Sequence, residues 1–129
     1  MGKTLSRDIQ LLTKMLINIT DAMSVVQRYS VTLDTNAKNS MHLNKDAFDL
    51  CSFYMAQAGE KVKLLSDSTF NFLQKEVDLG TLKYFRNKID HDYESVSKAM
   101  LQAYMSKIIN KNTIRIFKER IQYCQNNKK

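Results

Sequence analysis

The chain has no proline, no tryptophan and only three glycines in 129 residues. Proline and glycine are the main breakers of regular structure, so a sequence nearly without them predicts helix from end to end. Cysteine is scarce too. Cys51 and Cys124 each sit inside an amphipathic pattern, with no second cysteine or histidine at metal-ligand spacing. Both are expected to be buried free thiols, and no metal or cofactor is expected. Charged or amide residues interrupt every apolar run, so none approaches the roughly 18 residues that a membrane-spanning helix needs. The opening "MGKTLSRDIQ" lacks the apolar block and small-residue cleavage site of a secretory signal. Its Met-Gly start matches the myristoylation pattern further only at Ser6, too little to imply a lipid. The expectation is a cytoplasmic chain without membrane attachment.

What is present fits one soluble domain over residues 1–129: 43% hydrophobic and 26% charged residues are unlike the composition of disordered chains. The net charge of +7 favours a polyanionic partner through steering and counterion release, without naming one. A first helix is predicted from Ser6, with Asp8 in its first turn and a stripe of Ile9, Leu12, Leu16, Ile19, Met23 and Val26. The polar segment "TLDTNAKNSMHLN", which holds His42, reads as a loop. A second helix is expected from an Asn44 cap to about Leu65, burying Phe48, Cys51, Met55, Ala58, Val62 and Leu65, with Gly59 permitting close helix contact.

A short helix after Ser68 and an Asp78 cap for the next helix follow. Beyond "HDYES" the pattern gives a helix burying Val96, Met100, Ala103, Tyr104 and Ile108. A break at Asn110 to Asn112 then precedes a last helix through Ile114, Phe117 and Ile121, with a fraying "QNNKK" tail. The seven methionines read as core filler. The predicted fold class is all-α, an antiparallel up-down bundle of about four to six helices.

Chemistry concentrates in "RNKIDHDY", residues 86 to 93, which holds one of only two histidines. On a helix from Leu79, the residues Leu79, Leu82, Phe85 and Ile89 form the buried stripe; Arg86 lies at its border and His91 points away from the core. Five residues separate Arg86 from His91 by about 140°, so a regular helix does not aim both at one anion. Either the helix bends or ends near His91, or two copies meet across a two-fold axis and share a cleft. Metal-independent RNA cleavage needs a base, an acid and positive charge on the phosphate, which imidazole and guanidinium supply. Asn87 could hold the phosphate or orient His91. The plain alternative is a solvated helix face, with Arg86 and Asp90 paired at four-residue spacing, His91 at a helix end and Tyr93 as rim packing.

The octapeptide matches the RxxxxHxY signature of HepT-type toxins within the HEPN superfamily, and Asn87 directly after the arginine also fits. Upstream, "MAQAGEKVKLLSD", residues 55 to 67, resembles that family's helix with a Gly-Glu pair followed by small, basic and leucine residues. The resemblance implies a small helical ribonuclease active as a homodimer on RNA, with Arg86 and His91 catalytic, Asn87 as their polar, substrate-binding neighbour and no metal required. It also implies a partner, a minimal nucleotidyltransferase antitoxin that transfers AMP from ATP onto the signature tyrosine, here Tyr93. A nucleotide there would repel and occlude an RNA phosphate. The chain differs from the family in lacking a Pro-Trp turn before the signature helix and in placing Asp90 and Asp92 on either side of His91. Those aspartates favour an alternative, a non-catalytic HEPN module that binds a nucleotidyltransferase or nucleic acid. A helical oligomerisation domain is the third reading.

Overall fold

The scarcity of helix breakers appears in the computed structural model as six α-helices among the described residues. They are α1 (Leu5–Arg28), α2 (Lys45–Val62), α3 (Asp67–Gln74), α4 (Leu79–Asp92), α5 (Lys98–Ile108) and α6 (Lys111–Asn127), with a 3-10 turn at Tyr93–Ser95 between α4 and α5. The structure describes residues 4–29, 45–95 and 98–128, and no strand occurs among them. The expected Asn44 cap, the loop with His42 and Val96 lie outside the described residues. The all-α bundle is thus observed, at the upper end of the expected helix number.

Polar caps set the helix starts. Thr4, in extended backbone, accepts the Arg7 N–H at 3.1 Å, so α1 begins before the expected Ser6. Ser66, rather than Ser68, caps α3. Asp78 caps α4 as expected, accepting the Thr81 N–H at 3.0 Å and the Thr81 hydroxyl at 2.5 Å; that hydroxyl holds its carboxyl below the usual carboxylate range. Asn110 accepts the Thr113 N–H at 2.8 Å, which confines the break between α5 and α6 to a single cap. The tail expected to fray is helical through Asn127, whose amide donates to the Tyr123 carbonyl at 2.8 Å.

All six residues expected to be buried along the second helix are buried, five of them on α2 and Leu65 three residues beyond its end, and both cysteines are buried and free. Burial pushes the Cys51 thiol up to about 12. In α1 Leu12 and Ile19 are buried as expected, but the other buried apolar positions are Leu11, Met15, Ala22 and Val25, so the covered arc is rotated from the expected one. The cause is that α1 packs against both α2 and α6, which widens and rotates its covered arc. Ile9, Leu16, Met23 and Val26 flank that arc, half-buried. In α5 Ile108 is buried as expected, but the rest of the face is corrected: Leu101, Gln102 and Met105 are buried while Met100 and Ala103 are exposed. The Tyr104 ring meets Phe85 edge-on at 4.9 Å. Among the described residues α1 is the one helix long and apolar enough, by length and composition, to cross a bilayer, although polar residues interrupt it; a third of its most apolar stretch is buried inside the bundle.

A polar tie crosses the core. Asp8, fully buried, accepts the Ser66 N–H at 3.0 Å, the Ser66 hydroxyl at 2.5 Å and the Thr69 hydroxyl at 2.6 Å. Thr69 Oγ1 accepts from Arg120 Nε at 3.0 Å, and Arg120 Nη2 donates to Ser68 at 2.6 Å. The Arg120 guanidinium also lies over the Phe72 and Tyr123 rings. One carboxylate and one guanidinium, linked through a threonine hydroxyl, thus fasten α3 between α1 and α6.

α4 packs principally on α2, and the two run antiparallel: Tyr93 meets Asp49 and Leu82 meets Gly59. Gly59 is where the helices come closest. A Cβ there would lie 2.9 Å from Arg86 Cβ and closer still to the Leu82 carbonyl oxygen. Gly59→Ala is therefore expected to cost about 1–3 kcal/mol, because backbone cannot yield as a flexible side chain does. Thermal unfolding checks this, and an unchanged midpoint would show that the helices have room to spare.

Candidate functional site

On α4 the residues Leu79, Leu82 and Phe85 are buried and Ile89 half-buried, which leaves the octapeptide's polar side chains on the border and the outer face. The Arg86 side chain is 24% exposed. Its Nη1 donates to Asn87 Oδ1 at 3.0 Å, and its Nε lies 3.1 Å from Asp90 Oδ2. The Nε–H is not aimed at that oxygen, so this contact is an ion pair rather than a hydrogen bond. Nη2 lies 4.0 Å from Glu60 Oε1 on α2. The anticipated Arg86–Asp90 pair exists, and Glu60 adds a second carboxylate. Asn87 is drawn to Arg86 rather than towards His91.

His91 is exposed in the last turn of α4, facing away from the core as expected. Because α4 stays helical through Asp92, Arg86 and His91 keep the roughly 140° separation of a regular helix. A single chain does not bring them to one point. Asp92 lies 3.8 Å from Lys88, one turn back on the same helix. Among the described residues no three His, Cys, Asp or Glu side chains converge as metal ligands would.

Tyr93 opens the 3-10 turn with helical backbone angles, φ −58° and ψ −36°, so its direction continues that of α4. Both Arg86 and Tyr93 consequently reach α2, one at Glu60 and the other at Asp49. The Tyr93 hydroxyl donates to Asp49 Oδ1, while Lys45 Nζ sits 2.6 Å from Asp49 Oδ2. The Tyr93 ring lies 6.1 Å from that of Phe48. Burial, and then the bond to Asp49, push the Tyr93 phenol up to about 12. The ring is still 38% exposed and lines an open depression of about 270 Å³ with Asp49, Ser52, Phe53 and Ile89.

A larger depression, about 380 Å³, begins one turn before Arg86 at Lys83 and includes Lys63 with an apolar floor of Val62, Leu65 and Phe70. Asp67 lines it as well, so its two lysines share the rim with one carboxylate, and Arg86 lies outside the lining. Asp49 was not legible as a partner of Tyr93, since the two are 44 positions apart and meet only through the antiparallel packing of α2 on α4. The chain matches no family model, no curated protein and no solved structure at a significant level.

Proposed function

We propose that this chain is the toxin of a HEPN and minimal-nucleotidyltransferase pair, a cytoplasmic, metal-independent endoribonuclease whose site forms between two copies of the chain. Arg86 of one copy and His91 of the other flank a single phosphodiester. His91 moves the proton of the ribose 2′-hydroxyl or of the leaving 5′-oxygen, and Arg86 takes the charge developing on the phosphate. Asn87, bonded to Arg86, steadies the guanidinium. Lys63 and Lys83 extend the positive charge along the seam where the strand continues.

One observation carries this reading: the two sequence blocks that resemble the family lie against each other. Gly59 of the Gly-Glu pair fits under Leu82 and Arg86, and Glu60 faces the Arg86 guanidinium. The exposed position of His91 on the outer face leaves it open to a second copy. AMP transferred to Tyr93 by the antitoxin puts phosphate on the same side of α4 as Arg86 and so silences the site.

The test is cleavage of RNA by purified protein beside His91→Ala, with the new ends mapped. Wild type should leave 2′,3′-cyclic phosphate ends that the variant does not produce; equal cleavage by both would end the proposal. A second reading, a non-catalytic HEPN module, is favoured by the two carboxylates that already engage Arg86. Turnover of RNA by the wild type removes it.

A further inference from the structure

The Tyr93 hydroxyl donates to one oxygen of Asp49 and the Lys45 ammonium pairs with the other. That arrangement is more than a surface hydrogen bond. A phenol meant to attack phosphorus must lose its proton, and this one is held well above the ordinary phenol range, so it is not ionised beforehand. The proton must leave during the attack, to an acceptor already in contact with the oxygen. Asp49 Oδ1 is in that position. Lys45 is 76% exposed and stands beside the carboxylate, where an incoming phosphate would bring negative charge. Phe53, 56% exposed, and Ile89 give the adjoining depression an apolar wall of the kind on which a purine base rests.

We propose that Asp49 orients the Tyr93 hydroxyl and takes up its proton when Tyr93 attacks the α-phosphate of a nucleoside triphosphate. This inference rests on the reading of Tyr93 as the nucleotidylated residue. In the step, a bond forms between Tyr93 Oη and the α-phosphorus, and the bond from that phosphorus to the bridging oxygen breaks. Pyrophosphate leaves with the electron pair, and the phenolic proton passes to the Asp49 carboxylate. Once Asp49 is neutral, Lys45 loses its partner and pairs with the new phosphodiester. The nucleotidyltransferase binds and activates the triphosphate, while this chain prepares its own nucleophile.

Asn in place of Asp keeps an oxygen to accept the hydroxyl but removes the basicity, so Asp49→Asn separates orientation from proton transfer and Asp49→Ala removes both. Each protein is treated with adenosine 5′-phosphorimidazolide, a chemically activated AMP, and separately with ATP and the nucleotidyltransferase encoded beside it. Adenylate on each tyrosine is counted by mass spectrometry, with exposed Tyr84 and Tyr123 as references in the same sample. With the chemical reagent, wild type is expected to label Tyr93 at least about tenfold over the references, with Asp49→Asn and Asp49→Ala both falling to the reference level. From about pH 6.5 to 9 the Tyr93 excess should shrink in wild type, as hydroxide takes over proton removal at the references, and stay flat in Asp49→Asn. Labelling of Asp49→Asn equal to wild type, with the same pH profile, overturns the inference. Absence of AMP on Tyr93 in the enzymatic reaction overturns the reading of Tyr93 instead, and the reagent results still decide the role of Asp49.

Discussion

Asp8→Ala is expected to remove about 3–5 kcal/mol of folding stability, the cost of breaking a buried charged network by deleting one member. The variant strips the acceptor from three donors at once: the Ser66 N–H, the Ser66 hydroxyl and the Thr69 hydroxyl. It also leaves the Arg120 guanidinium, 4% exposed, without the carboxylate that balanced it through Thr69. Domains are stable by only about 5–15 kcal/mol, so the loss would bring this one close to unfolding. Asp8→Asn should cost less, because the amide oxygen still accepts one of the three bonds. Asp8→Ala combined with Arg120→Met should cost less than the sum of the two single changes, since the second no longer strands a charge. Urea unfolding of wild type, the three single variants and the double variant measures these effects. Strict additivity would show that Asp8 and Arg120 do not communicate.

The second large effect concerns the two faces of α4. His91→Ala should lower RNA cleavage by about 10²–10⁴-fold, the usual contribution of a positioned acid or base, and Arg86→Ala by about 10²–10³-fold through lost charge stabilisation. Neither variant should work alone. Unfolded and refolded together in equal amounts, they form mixed dimers in about half of the pairings, and each mixed dimer carries one intact guanidinium and one intact imidazole on different chains. Cleavage by the mixture should therefore rise at least about tenfold above either parent. A mixture no better than its parents would mean that both groups act within one chain, in conflict with their separation on a continuous helix.

Helix content, helix order and the α2 stripe were legible because apolar residues at three- and four-residue steps leave α2 only one side to bury. α5 was not legible in the same way. Met100, Leu101, Ala103, Tyr104 and Met105 offer two adjacent apolar faces, and only the neighbours decide that Leu101 and Met105 go inward. The caps show a related ambiguity: Thr4 and Ser6, or Ser66 and Ser68, are equally able, and tertiary partners select between them. Ser66 is chosen because its hydroxyl also reaches Asp8. Asp8 itself looked like an ordinary first-turn acid. Its signal was positional, since Asp8, Leu11, Leu12 and Met15 continue a single stripe, which places a carboxylate where an apolar residue belongs. In the candidate site, the direction of His91 and the border position of Arg86 followed from helical geometry. Glu60 and Asp49 as their α2 partners did not, because α2–α4 register is a property of packing.

The seat of Gly59 under α4 has one more implication. The nearest atoms facing it are the Leu82 carbonyl and the first side-chain carbon of residue 86, and every amino acid except glycine owns that carbon. That contact survives any residue but glycine at position 86, whereas the rest of the Arg86 side chain is held by other partners, Asn87 and Asp90 on its own helix and Glu60 across the seam. The closeness of the two helices and the placement of the guanidinium are therefore set by different atoms of one residue.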